Sequence, residues 1–330
     1  MRLMINNRRD LNEEQQMKSM WLMCCLMIFC APRSMNPFLS GRILFLGDSI
    51  TEDGRYVSIV EYELFRRFPT KNIDVISIGL SSETVSGLTE PGHPYPRPNV
   101  HERLRRALVK VQPTVVYACY GMNDGIYHPP GSERLSAFQN GVQELIAAVH
   151  STKAQLVLLT PPFFDVQPIA DKAVCLDASQ FGYASPYEGY NDVLAQYGEW
   201  LTTIQSEGVH VIDLNRTMQS FTKKRRKDDA AFTLSPDGVH PQMTGHALMA
   251  RQILEFLDVP LSSEDVDVYA RQLEQDSLFQ MVHSRRQMRS SAWLVDIGFI
   301  KPGDYPALPL EEAERRCQIE KEKILKSIKL

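Results

Sequence analysis

A chain of 330 residues is long enough for one large domain or two small ones. Its hydrophobic share of 43% and charged share of 23% are those of an ordinary globular protein, which excludes a disordered or fibrous class. A formal net charge of −4 gives no electrostatic case for a nucleic-acid partner.

The first 38 residues read as a leader. Met20 to Ala31 (MWLMCCLMIFCA) is apolar or small throughout, preceded by Lys18 and followed by Pro32 and Arg33. That length suits the apolar region of a secretory signal peptide and falls short of the roughly 20 residues of a membrane-spanning helix. The expectation is a secreted or periplasmic protein with a weak cleavage site, since Phe29 stands where a small residue belongs. Met17 would make a conventional start. The alternative is an anchor by the uncleaved leader, and no stable membrane insertion of the mature domain is expected.

From residue 39 to 259, strands and helices alternate. Apolar, β-branched runs at 42–46, 73–78, 114–120, 155–160 and 209–213 predict strands, and helical patterns fill roughly 55–68, 100–111, 133–151, 187–207 and 243–257. Continuous rather than alternating apolar strands predict a parallel sheet covered on both faces. Two stretches read as insertions that could shape a site: the proline-rich 89–99, with His93, Tyr95 and Arg97, and the aromatic 161–189. The basic run KKRRK at 223–227 reads as a solvated loop or helix face.

Chemistry enters at the ends of the strands. FLGDSIT at 45–51 places Ser49 where the first apolar run breaks at a glycine, and SPDGVHP at 235–241 supplies His240 with Asp237 three residues before it. A serine hydroxyl is a weak nucleophile until an imidazole takes its proton, and the imidazole needs a carboxylate to set its tautomer. Pro241 disfavours αR at His240, placing the base in a loop before the last helix of this region. SIGLSSET at 77–84 and GMND at 121–124 follow the second and third strands and supply Gly79, Ser82 and Asn123.

In this order the four stretches resemble the conserved blocks of the GDSL or SGNH hydrolases, a family of esterases and lipases. The resemblance implies a flavodoxin-like three-layer α/β/α sandwich around a parallel sheet. It makes Ser49 the nucleophile, His240 the base and Asp237 its orienter. The oxyanion hole would combine the Ser49 N–H, a backbone N–H of the second block, and the Asn123 side chain. Many relatives carry glycine where this chain has Ser82, and both Gly79 and Ser82 stay open as that donor.

The expected activity is hydrolysis of carboxylic esters through an acyl-enzyme, without cofactor or metal. A short-acyl (acetyl) ester on a sugar or polysaccharide is the first substrate expectation, and a lipid or lysophospholipid ester the runner-up. A non-catalytic glycan-binding module is the reading from another class, and the presence of Ser49, Asn123 and His240 opposes it. GDSIT is not a glycine-rich phosphate loop, so a nucleotide-binding protein has no support.

Lesser signals remain. Cys119, Cys175 and Cys317 outside the leader are odd in number, implying a free thiol, and Cys119 reads as a small buried hydrophobe. Asn215, Arg216 and Thr217 match a glycosylation acceptor pattern, and His246 reads as one face of a helix. Residues 260–330 are charged and amphipathic, predicting a mainly helical extension without chemistry of its own.

Overall fold

Five runs of mostly Val, Ile and Leu form the central sheet of the computed structural model, which describes residues 36–39 and 41–329. The strands are β1 (Arg42–Gly47), β2 (Asp74–Ser77), β3 (Val115–Cys119), β4 (Gln155–Leu159) and β5 (Val209–Ile212). All pair in parallel, in the order β2-β1-β3-β4-β5. Both faces are covered, and β3 is buried along its whole length, as an unbroken apolar strand requires. The leader lies almost wholly outside the described residues.

Right-handed crossovers decide which face each helix takes. The chain moves one way from β1 to β2 through α1 (Ser49–Asp53) and α2 (Arg55–Arg67). It then reverses, and α3 (His101–Val111), α4 (Ser132–His150) and α5 (Tyr190–Thr202) cover the opposite face. After β5 come α6 (Leu214–Arg225) and α7 (Met243–Phe256), and α7 returns to pack beside α2. The reversal of strand order lies between β1 and β3. Their carboxyl ends diverge there into the crevice where doubly wound sheets bind ligands.

Two elements depart from the sequence pattern. The helix expected over 187–207 is confined to Tyr190–Thr202. Helix α6 was not anticipated, although Asp213 caps it by accepting from the Arg216 N–H at 3.1 Å. The basic run closes that helix, and it is less free than expected: Arg225 pairs with Asp267 at 2.5 Å and Arg226 with Asp165 at 2.7 Å.

Beyond the sandwich lie α8 (Val266–Gln275), α9 (Ser277–Ile297) and α10 (Leu310–Lys329). They explain why α2 is buried from Tyr56 to Phe65, including Glu61 and Glu63. Arg285 of α9 pairs with Glu61 at 2.8 Å, and the Tyr62 hydroxyl donates to Asp276 at 2.6 Å. Arg289 donates to the Val75 carbonyl of β2 at 2.9 Å and pairs with Glu314 of α10 at the same distance. Buried charges are costly unless paired and hydrogen-bonded, and these pairs join α9 to the sandwich. From Phe38 onward the chain is one compact unit.

Candidate active site

The nucleophile candidate is set by the turn that ends β1. Gly47 lies so close to Thr51 and the Cys119 carbonyl that a Cβ would meet them at 2.2 and 2.8 Å. Asp48 caps α1, its carboxylate accepting from the Ile50 N–H at 3.0 Å. Burial pushes Asp48 up to about 7, although that hydrogen bond opposes the rise. Ser49 is thereby the first residue of the short helix, at the carboxyl end of β1.

Ser49 Oγ lies 2.8 Å from His240 Nε2, and His240 Nδ1 lies 2.7 Å from Asp237 Oδ2. The other carboxylate oxygen of Asp237 accepts from the backbone N–H groups of His240 (2.7 Å) and Val239 (3.0 Å). Burial opposes ionisation of Asp237, but its bonds to the His240 ring and to these amides outweigh it and hold the group at about 2. The Asp237 hydrogen bond raises His240 above its ordinary value, against the effect of burial. Both side chains are about half exposed, which gives substrate and water access to the pair.

The second and third stretches meet across the crevice. Asp124 Oδ1 accepts from the Val85 and Ser86 N–H groups at 2.9 and 2.8 Å, tying the turn after β3 to the turn after β2. Asn123 Nδ2 donates to the Glu83 carbonyl at 3.2 Å, leaving its second amide hydrogen for the cleft. Glu83 accepts in turn from Arg103 Nε and Nη2, both at 2.6 Å, and from the Tyr120 hydroxyl at 2.7 Å.

Gly79 and Ser82, left open by the sequence, stand in different places. Gly79 packs against α1, where a Cβ would lie 2.2 Å from the Glu52 amide nitrogen. Ser82 has φ +67°, the left-handed region that glycine favours, and its hydroxyl lies 3.3 Å from that of Tyr95. Ser82 lines one cleft with Ser49, Asn123 and His240, whereas Gly79 lines an adjoining cleft.

The cleft that holds Asn123 has a volume of about 450 Å³ and is walled by both insertions. His93 and Tyr95 come from the first, Tyr183 and Ile169 from the second. Arg97 is buried, its Nε and Nη2 each donating to Glu90 at 2.7 Å, and its guanidinium lies 5.6 Å from the centre of the Tyr127 ring. Tyr183 donates its N–H to Glu90 at 3.3 Å, so one carboxylate holds the two insertions together.

Several residues of the site carried no signal in the sequence. Glu52 accepts from the Ser81 N–H, the Ser81 hydroxyl and the Tyr305 hydroxyl. Arg286 of α9 donates to the Glu52 and Asp53 carbonyls at the end of α1. His246 lies on a helix as expected, but is buried with Nε2 at 3.2 Å from Asp53 Oδ1. The 260–330 extension, read as lacking chemistry, therefore reaches the helix that carries Ser49. Asn215 is no exposed acceptor: it is buried, and its amide donates to the Pro161 carbonyl and to Asn191 at 3.2 and 3.1 Å. Cys119, Cys175 and Cys317 are all free thiols, with Cys119 buried in β3. Among the described residues, no three His, Cys, Asp or Glu side chains are grouped to hold a metal ion, and no helix is long and apolar enough to cross a membrane.

Comparison with known proteins agrees with the fold. A gut microbial diltiazem-metabolizing enzyme matches at 24% identity and TM-score 0.50, over 68% of this chain and 48% of its own. The chain thus spans about half the length of that protein. A mutant of an acetyl-xylooligosaccharide esterase from Geobacillus stearothermophilus matches at 22% identity and TM-score 0.51, over 70% of this chain and all of its own. No curated protein sequence matches. The GDSL-like Lipase/Acylhydrolase family matches residues 45–248, a span that holds all four stretches. The chain belongs to that family and is an ester hydrolase with the SGNH-type α/β fold.

Proposed function

We propose that Ser49, His240 and Asp237 form the catalytic triad of a serine esterase acting on short-acyl esters, acetyl above all, of carbohydrates. The observation that carries the triad is the unbroken chain from Ser49 Oγ through the His240 ring to Asp237 Oδ2, at 2.8 and 2.7 Å. His240 Nε2 takes the Ser49 proton as Oγ attacks the ester carbonyl. The oxyanion is met by the Ser49 and Ser82 N–H groups and the free amide hydrogen of Asn123. Ser82 rather than Gly79 is assigned because Ser82 shares the cleft of Asn123. Protonated His240 then gives its proton to the leaving alkoxide, and the acyl group stays on Ser49. Water repeats the sequence in reverse, releasing the acid and restoring the serine.

The lining of the clefts supports the substrate class. The cleft of Glu52, Asp53, Arg286, Gln287, Ser290 and Ser291 is lined by polar and charged groups, whereas the Asn123 cleft mixes Ser82, Lys172 and Asp237 with Tyr127, Ile169 and Val239. Stripping water from such groups without replacing its hydrogen bonds is costly. Sugar hydroxyls can replace those bonds in the cleft of Glu52 and Asp53. Export of the protein through the apolar segment 20–31 belongs to the same proposal, and N-terminal sequencing of exported protein checks it.

Hydrolysis of p-nitrophenyl esters from acetate to palmitate tests this reading. Turnover confined to acetate and butyrate supports it. A preference for long chains moves the substrate to lipids, and silence on every ester favours a non-catalytic glycan-binding role.

A further inference from the structure

We infer that α9, in the extension beyond the family match, supplies the subsite for the hydroxyl-bearing alcohol half of the substrate through Gln287, Ser290 and Ser291. This rests on the esterase reading and deepens it. Two clefts of about 450 Å³ each meet at Ser49, Ser81 and His240. An ester carbon held at Ser49 therefore sits at their junction, with its two substituents diverging into different clefts.

The first cleft contains Asn123 and Ser82, together with Tyr127, Ile169 and Val239. It takes the carbonyl oxygen and a short acyl group. The second is lined by Glu52, Asp53, Arg286, Gln287, Ser290 and Ser291. Its floor is already committed: Arg286 donates to the Glu52 and Asp53 carbonyls and, at 3.0 Å, to the Ser58 hydroxyl. Glu52 is occupied by Ser81 and Tyr305.

Above that floor, positions 287, 290 and 291 share one face of α9 by their spacing. Gln287 is exposed, and Ser290 and Ser291 are half-buried. Among the described residues, neither Gln287 nor Ser291 has a side-chain hydrogen-bond partner. Ser290 is met only by Arg286, at the long distance of 3.5 Å. The face offers an amide and two hydroxyls, each able to donate and to accept, on a rigid helix beside the leaving-group position. A polyol presents the same mixture of donors and acceptors, whereas an aryl or alkyl alcohol presents none. A sugar ester gains these hydrogen bonds and a simple aryl or alkyl ester does not, which separates the two alcohols. The family match ends at residue 248, so this face belongs to the chain's own extension.

The test compares two alcohols under one acyl group: mono-O-acetylated methyl glucosides and p-nitrophenyl acetate, with wild-type protein and the double variant Gln287→Leu, Ser291→Ala. Thermal melting verifies that the variant folds. The expected result is at least a tenfold fall in the ratio of sugar-ester to p-nitrophenyl kcat/KM, carried mainly by KM. Free methyl glucoside should also compete with p-nitrophenyl acetate on wild type and fail to compete on the variant. An unchanged ratio overturns the subsite. So does a wild-type protein that turns over p-nitrophenyl acetate but releases no acetate from the glucosides, an outcome that leaves the esterase intact. Silence on both substrates removes the esterase reading itself.

Discussion

Arg286, 234 residues from Glu52 in sequence, donates to the Glu52 carbonyl at 3.2 Å and so ties α9 to the helix that begins at Ser49. A guanidinium at the end of α1 satisfies carbonyls that have no partner within the helix and complements their partial negative charge. Its burial without a carboxylate of its own lowers its proton affinity, to about 10. Arg286→Met should therefore lower stability by about 1–3 kcal/mol, since the Glu52 and Asp53 carbonyls lose a donor in a buried setting. It should also depress kcat, while Arg286→Lys keeps part of both. Urea unfolding and steady-state kinetics on p-nitrophenyl acetate measure the two effects.

The pH profile follows from the sign of the His240 shift. Only neutral His240 can accept the Ser49 proton, so activity is lost as pH falls through its pKa. Asp237 raises that pKa, which puts the midpoint above the ordinary value of about 6.5. Asp237→Asn should move the midpoint of kcat/KM downward and cut the rate by about 10⁴-fold, because the tautomer is no longer held. A midpoint that stays in place in the variant would contradict the assignment.

Asn123 donates one amide hydrogen to the Glu83 carbonyl and lines the cleft with Ser49 and His240. Asn123→Ala should lower kcat by about 10²–10³-fold with little change in KM, as expected of a donor that acts on charge developed in the transition state. A rise in KM alone would make Asn123 a substrate-binding residue only.

In the proposed oxyanion hole Ser82 contributes its backbone N–H, and its φ of +67° is the constraint. Glycine adopts that conformation freely, while a β-branched residue does not. Ser82→Gly should keep kcat/KM within about threefold on this argument, and Ser82→Val should lose more than tenfold. Equal activity of the two variants would show that this backbone amide is not needed.

The strands and the four chemical stretches were legible because each is local. Apolar runs mark buried parallel strands, and Ser49, Asn123, Asp237 and His240 sit at strand or loop ends where short motifs survive. The extension was legible only as helices. Arg285, Arg286 and Arg289 carried no individual signal in a charged, amphipathic stretch, and their burial depends on Glu61, on the carbonyls of α1 and β2, and on Glu314, all distant in sequence. Asn215 misled for a related reason. A three-residue pattern says nothing of the Pro161 carbonyl and the Asn191 side chain that bury it. The separate placement of Gly79 and Ser82 likewise depends on the path of the turn after β2.

Pre-steady-state hydrolysis of p-nitrophenyl acetate by wild type and Ser49→Ala, with mass spectrometry of the quenched enzyme, tests the central claim most directly. The predicted result is acetylation confined to Ser49 in wild type, and a loss of about 10⁵–10⁶-fold in kcat for the folded variant. A Ser49→Ala protein that keeps a tenth of the activity, or acetylation at another residue, would contradict it.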